Sequence, residues 1–206
     1  MALRVYRIPF STNVERVALA AGHKGVEVEW VDVDPADRSP VEAVSGQSLV
    51  PVLVDGGEVI TDSPAIVALL EKRFPDPPLY PADEARRAEV EIFVEWFNRV
   101  WKRPPNAIAD ELGQAEPDFA RVAELSAELR AALDRFEALL AGRDYLFGEF
   151  GAADCTAFPF LKYAVFGLPP DDDELFHRVL VDHMPLGERY PRLMAWARRV
   201  DERPRA

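Results

Sequence analysis

Two short clusters of polar side chains stand where helices are about to start. Ser11-Thr12-Asn13 follows a strand-like run and precedes an apolar helical stripe. Asp62-Ser63-Pro64 opens a second helix, with Ser63 suited to the N-cap and Pro64 to the first helical position. A helix N-terminus gathers unpaired backbone N–H groups and favours negative charge. Upstream of the second cluster, Val50-Pro51 heads an apolar run. Proline cannot donate to a ladder. Val50-Pro51 therefore reads as a tight bend, a candidate for a cis peptide, that leaves a neighbouring backbone edge unpaired. Such an edge beside a helix N-terminus is a place to hold a small anionic peptide. On position alone, Ser11, Asn13 and Ser63 read first as helix caps.

Composition narrows the remaining chemistry. The single Cys155 excludes an internal disulfide and any Cys-x-x-Cys redox pair. Three histidines and one cysteine give no zinc cluster, so no metal is expected. The net charge is −12 and the 24 Lys and Arg residues form no basic run, which argues against nucleic acid and anionic membranes as partners. No window approaches the roughly 18 apolar residues of a membrane span. Met1–Tyr6 enters a strand pattern directly, without the apolar stretch of a signal peptide, so a cytoplasmic location is predicted. A chain of 206 residues holds one large domain or two small ones with a real core.

The elements that position the polar clusters follow from periodicity. Leu3–Ile8 reads as a strand. Val14, Val17, Ala18 and Ala21 mark a helix face, closed by Gly22 and Gly25. Val26–Trp30 alternates as a second strand, and the β-α-β order implies a parallel pair. Residues 34–48 read as a loop with a short helix. Val52–Val54 and Glu58–Ile60 form a hairpin around Asp55-Gly56-Gly57. Ile66, Leu69, Leu70 and Phe74 give the next helix. Four prolines within Pro75–Pro81 make a linker. All that follows is helical: a helix from Asp83 ending at Pro104-Pro105, one from about Pro117 to Ala141, a nearly all-apolar one over Ala152–Phe166, then Glu174–His183 and Pro191–Arg203. The predicted organisation is a small α/β domain over 1–76, a linker over 77–82 and an all-α domain over 83–206.

Four stretches in this order resemble the glutathione transferase superfamily. Val50-Pro51-Val52-Leu53 with Asp62-Ser63 resembles its cis-proline loop and glutamyl-binding pair. Leu79-Tyr80-Pro81 resembles its linker. Gly151-Ala152-Ala153-Asp154 stands where the family has Ser/Thr-x-x-Asp before a buried central helix. Tyr190–Trp196 with Arg203-Pro204 resembles its last helix. The resemblance implies a thioredoxin-like N-terminal domain and an all-α C-terminal domain, glutathione as co-substrate, a hydrophobic electrophile as acceptor, and a homodimer.

It also implies roles. Ser11 corresponds to the serine that donates to the glutathione sulfur, and Asn13 is a second donor to the same sulfur, or the main one. Such a bond favours thiolate over thiol. A free thiol has a pKa of about 8.5, and a depression of about two units is worth roughly 2.7 kcal/mol. Asp62 and Ser63 would hold the glutamyl end, and Val50-Pro51 would pair the cysteinyl backbone as a borrowed strand edge. Gln47 or Ser48 falls near the glycine carboxylate. Two departures matter: Gln47 and Ser48 are uncharged, and Pro64 replaces an arginine found in some serine-type members. Lost charge-assisted bonds of about 1.5–3 kcal/mol each predict weak glutathione binding. Phe10, Trp96 and Trp101 are the acceptor-pocket candidates, expected between the two domains, although the stripe Phe93, Trp96, Phe97 and Trp101 also suits a core.

The remaining chemistry-bearing residues have plainer readings. Cys155 reads as an inert buried residue. His23, His177 and His183 read as surface or loop residues. Asp171–Glu174 reads as the acidic first turn of a helix. Two alternatives stay open beside conjugation: a glutathione-dependent disulfide or peroxide reductase, and a non-catalytic binding or scaffold protein.

Overall fold

A computed structural model describes residues 3–206. The chain divides into two compact units, Met1–Tyr80 with Glu202–Ala206, and Pro81–Asp201. The last five residues thus pack with the first unit, where the sequence reading ran the helical domain to 206.

The first unit is a mixed four-stranded sheet in the order β2-β1-β3-β4. Strands β1 (Leu3–Arg7) and β2 (Val28–Asp32) run parallel, with Leu3 opposite Val28, joined by helix α1 (Thr12–His23). Strand β3 (Val52–Asp55) lies antiparallel to β1, and β4 (Glu58–Thr61) antiparallel to β3 across the Gly56-Gly57 turn. Helix α2 (Ser39–Ser45) is the short helix expected within residues 34–48, and helix α3 (Ser63–Arg73) follows β4. Val5, Val17, Leu53, Ile66 and Leu70 are fully buried and join α1 and α3 to the sheet. Val33, Val41 and Val52 form a second cluster, with Val50 packed against it, that seats α2.

Lys24, with no side-chain exposure, closes the far end of α1. Its Nζ donates to Glu71 Oε2 at 2.6 Å and to the carbonyls of Phe74 and Pro77 at 2.6 and 3.0 Å. Glu71 also accepts from Leu79 N. One buried ion pair thereby fixes the ends of α1 and α3 and the proline-rich segment after them.

The segment 202–206 lies along the back of α1. Ala206 N donates to Ala18 O, Trp30 Nε1 donates to Ala206 O at 2.9 Å, and Arg205 pairs with Glu15. A guanidinium only donates, so His23 Nδ1 accepts from Arg203 at 2.7 Å and its Nε2–H donates to Pro78 O. Burial, reinforced by Arg203 and Lys24, holds the His23 pKa below its ordinary value. His23 is therefore a half-buried connector rather than the surface residue expected. Gly22 makes the approach possible: a Cβ there would stand 2.2 Å from Pro204 O. Gly22→Ala is expected to lower stability by about 1–3 kcal/mol, read as a thermal midpoint. An unshifted midpoint would show that the segment does not bear on α1.

In the second unit, helix α4 (Glu84–Trp96) runs into a π-helical turn, Phe97–Trp101, and then helix α5 (Arg103–Leu112). Pro104-Pro105 were expected to end a helix; they begin one. Proline is tolerated in a first turn, where its missing N–H would have no partner. Helices α6 (Phe119–Leu139), α7 (Ala152–Phe166), α8 (Leu175–His183) and α9 (Pro191–Asp201) follow. Trp101 stacks on Phe97 at 4.3 Å, with Phe136 and Phe160 edge-on. Every residue of α7 from Ala152 to Leu161 is buried, Cys155 included. Asp154 anchors the start of that helix from within the core.

Two histidine readings change here. His177 is 5 % exposed, and its Nδ1 lies 2.8 and 2.9 Å from the Asp172 carboxylate oxygens. Tyr163 donates to the same carboxylate and stacks on the imidazole. Asp172 is thus buried, and not part of an acidic solvent-facing turn; α8 starts three residues later. His183 Nδ1 lies 2.6 Å from Ser126 Oγ, whose own O–H donates to Val122 O. Both histidines lock α8 onto neighbouring elements.

Candidate functional site

The polar clusters singled out by sequence all fall on the first unit, at the ends of α1 and α3 and at the head of β3. Ser11 is the N-cap of α1, and its Oγ accepts from Val14 N at 3.4 Å. That bond uses a lone pair and leaves the hydroxyl proton for another acceptor. Thr12, between Ser11 and Asn13, is buried, while Ser11 and Asn13 are half-buried.

The Val50-Pro51 peptide is cis. Pairing of β3 with both neighbours begins at Val52, so Val50 precedes either ladder. Helix α3 starts at Ser63, one residue before the start expected, with Asp62 as N-cap and Pro64 in the first turn. Asp62 is exposed, and its side chain makes no capping bond. Ser63 is 1 % exposed. Backbone enters both helices through a positive φ at a non-glycine residue, 62° at Phe10 and 73° at Asp62. Each such residue costs about 1–3 kcal/mol, a cost that clusters at functional sites.

Gln47 and Ser48 behave differently from a ligand pair. Gln47 closes on its own loop: Nε2 donates to Leu49 O at 2.8 Å and Oε1 accepts from Leu49 N at 2.6 Å. Ser48 O accepts from Arg38 Nη1 at 3.4 Å, and Arg38 Nε donates to Pro35 O. Arg38 is therefore a cation placed beside residues 47–49 that sequence reasoning passed over. A second is Arg16, 2 % exposed on α1, with Nη1 3.4 Å from Ser63 Oγ. A signal for Arg16 exists in the sequence: Thr12, Arg16 and Ala20 share one helix face, and all three are buried.

Of the acceptor-side candidates, Phe10 is 40 % exposed in the first unit. Trp96 and Trp101 lie in the second. Trp96 lines a cavity of about 570 Å³ with Ile92, Phe93, Arg135, Leu139 and Phe147, formed by α4, α6 and the segment after α6. Trp101 is 2 % exposed inside the aromatic cluster. Among the described residues no group of three or more His, Cys, Asp or Glu side chains is placed to hold a metal, and no helix is long and apolar enough to cross a membrane.

Known proteins resemble this chain in sequence and in fold. The profile of the glutathione S-transferase N-terminal domain matches residues 5–78, and that of the C-terminal domain matches residues 119–199. Glutathione S-transferase 3 of Zea mays is 35% identical over 169 residues, 75% of this chain and 74% of that protein. The chain belongs to the glutathione S-transferase family. A second relative, the maleylpyruvate isomerase of Ralstonia sp, is 30% identical over 179 residues, 79% of this chain and 82% of that protein. Among solved structures, a glutathione S-transferase from Rhodospirillum rubrum F11 superposes with a TM-score of 0.77 at 28% identity, covering 98% of this chain and 89% of that one. The transferase fold read from four short motifs is thus the fold of this chain, with one domain profile in each unit.

Proposed function

We propose that this chain is a glutathione transferase that stabilises the glutathione thiolate and adds it to a hydrophobic electrophile. The observation that carries the reading is Ser11, an N-cap whose hydroxyl accepts from Val14 N and so keeps its proton for a sulfur. Asn13 is the second donor. Family membership supports the rest of the assignment: Asp62 takes the glutamyl amino group, Ser63 and the α3 N-terminus take its carboxylate, and Val50-Pro51 presents the backbone edge to the cysteinyl part. Arg38 answers the glycine carboxylate in place of the uncharged Gln47 and Ser48. It restores a charge-assisted bond worth about 1.5–3 kcal/mol. Phe10 and Trp96 belong to the acceptor side, whereas Trp101 is buried in the aromatic cluster and packs the core instead. A homodimer fits the family.

The maleylpyruvate isomerase relative favours a second reading. Reversible addition of the same thiolate to a conjugated double bond isomerises an acceptor instead of conjugating it.

Calorimetric titration with glutathione tests the shared premise. Saturable binding at millimolar ligand or below is expected in wild type, with a loss of about tenfold in affinity for Arg38→Ala. Absence of heat at millimolar glutathione overturns both readings.

A further inference from the structure

We infer that the cavity between the π-helical turn Phe97–Trp101 and helix α6 is a further small-molecule site, which takes a neutral single-ring aromatic ligand carrying one acceptor oxygen. The inference does not rest on the glutathione reading, because α4, the π-helical turn, α5 and α6 alone build the cavity. Trp101 packs the core with its ring and is 2 % exposed, yet its Nε1 has no hydrogen-bond partner among the described residues. An indole N–H only donates, and a buried donor without an acceptor is rare in a folded chain. The ring is not free to turn and find one. Phe97 stacks on it at 4.3 Å, and Phe136 and Phe160 stand edge-on. The donor is thus held in place at the end of a π-helical turn, a backbone feature frequent at functional sites.

The cavity that Trp101 lines measures about 160 Å³, close to the roughly 150 Å³ of apolar space that admits benzene. Ala131 and Ala132 of α6 line it where longer side chains would fill it, and Trp96, Pro104 and Leu129 complete the apolar walls. None of these five side chains can accept from the indole. An aromatic ring suits such walls, and an oxygen on that ring supplies the acceptor. Charge narrows the ligand further. Arg135 lies over the Trp96 ring at 5.5 Å, and Glu128 stands two turns earlier on α6; both line the cavity and both are exposed. Opposite charges favour neither an anion nor a cation, and burying an ion against apolar walls is costly, so the ligand is neutral. The larger cavity beside Ile92 shares Trp96 and Arg135 but not Trp101, and so lacks the orphan donor.

Acetophenone and α-methylstyrene form the probe pair: they share a shape, and only the ketone accepts a hydrogen bond. Each is titrated into the full chain without glutathione and followed through the indole N–H signals of the four tryptophans, that of Trp101 being the one missing from Trp101→Phe. Saturable acetophenone binding that moves the Trp101 signal is expected, with about tenfold preference over α-methylstyrene, the worth of one hydrogen bond. Trp101→Phe is expected to abolish that preference. Ala132→Leu, which fills the cavity, is expected to weaken both probes at least tenfold. Equal affinity for the two probes in wild type, the result if a water alone serves the indole, overturns the inference. So does a preference kept in Trp101→Phe, or full binding in Ala132→Leu. If Trp101→Phe does not fold, the wild-type preference and its loss in Ala132→Leu decide. Conjugation of a chlorodinitrobenzene-type acceptor by Ala132→Leu is expected to match wild type; a parallel loss would make this cavity the acceptor pocket and overturn a separate site. A wild type that binds the ketone but no glutathione overturns the proposed function and upholds this inference.

Discussion

Asp154→Ala is expected to remove about 4–6 kcal/mol of stability, most of what a domain of this size possesses. Asp154 is 1 % exposed at the start of α7. Its Oδ1 accepts from Leu146 N at 3.0 Å and from Trp196 Nε1 at 2.7 Å, and its Oδ2 accepts from Gly151 N at 3.0 Å. Alanine strands three buried donors, each at a cost of about 1–3 kcal/mol. The carboxylate joins the segment before α7, the α7 start and α9, so the loss spreads over the second unit. Gly151 supplies no side chain to the cap, which makes Asp154 the whole of the side-chain bonding there.

Asp154→Asn probes the same group through pH. Burial, opposed by the bonds from Leu146, Trp196 and Gly151, pushes the Asp154 pKa up to about 6. Between about pH 4 and 6 the folded chain holds this proton and the unfolded chain has lost it. The contribution of the group is complete below the unfolded value and declines as pH rises through the folded one. Over about two units it amounts to roughly 3 kcal/mol. Urea unfolding of wild type and Asp154→Asn from pH 4 to 7 should show the difference in stability narrowing by about that amount as pH rises. A difference that is constant across this range would remove Asp154 as the titrating group.

What sequence could show was local. Val50-Pro51, Asp62-Ser63, the hairpin around Gly56-Gly57 and the apolar run of α7 each declare themselves within a few residues, because turn chemistry and periodicity act at that range. Helix α5 was missed because Pro104-Pro105 is ambiguous: the same dipeptide ends one helix and opens another. The partners of His177 were missed for a different reason. Asp172 is near it in sequence, but its burial is decided by Tyr163 on another helix. Arg16 and Arg38 show the same limit at the site. The sequence reading singled out neither, and only the fold brings Ser63 to one and Ser48 to the other.

Ser11→Gly separates capping from chemistry, which Ser11→Ala confounds. As N-cap of α1, Ser11 contributes about 1 kcal/mol relative to alanine, whereas glycine at a cap costs only a few tenths. Stability of Ser11→Gly should therefore stay close to wild type, read as a urea midpoint. Its conjugation of a chlorodinitrobenzene-type acceptor should fall about 100-fold in kcat/KM, since a preorganised donor to a developing anion is commonly worth about 3 kcal/mol. The deficit should also depend on pH. The hydroxyl donates to the sulfur only as thiolate is favoured, so its loss returns the bound thiol towards about 8.5. The variant is then furthest behind at pH 6.5 and recovers part of the difference by pH 9, where thiolate forms unaided. The Ser11 proton is not used in the bond from Val14 N, so Asn13→Ala should cost less than Ser11→Gly. Wild-type rates in Ser11→Gly would leave Ser11 a cap alone and transfer the sulfur contact to Asn13.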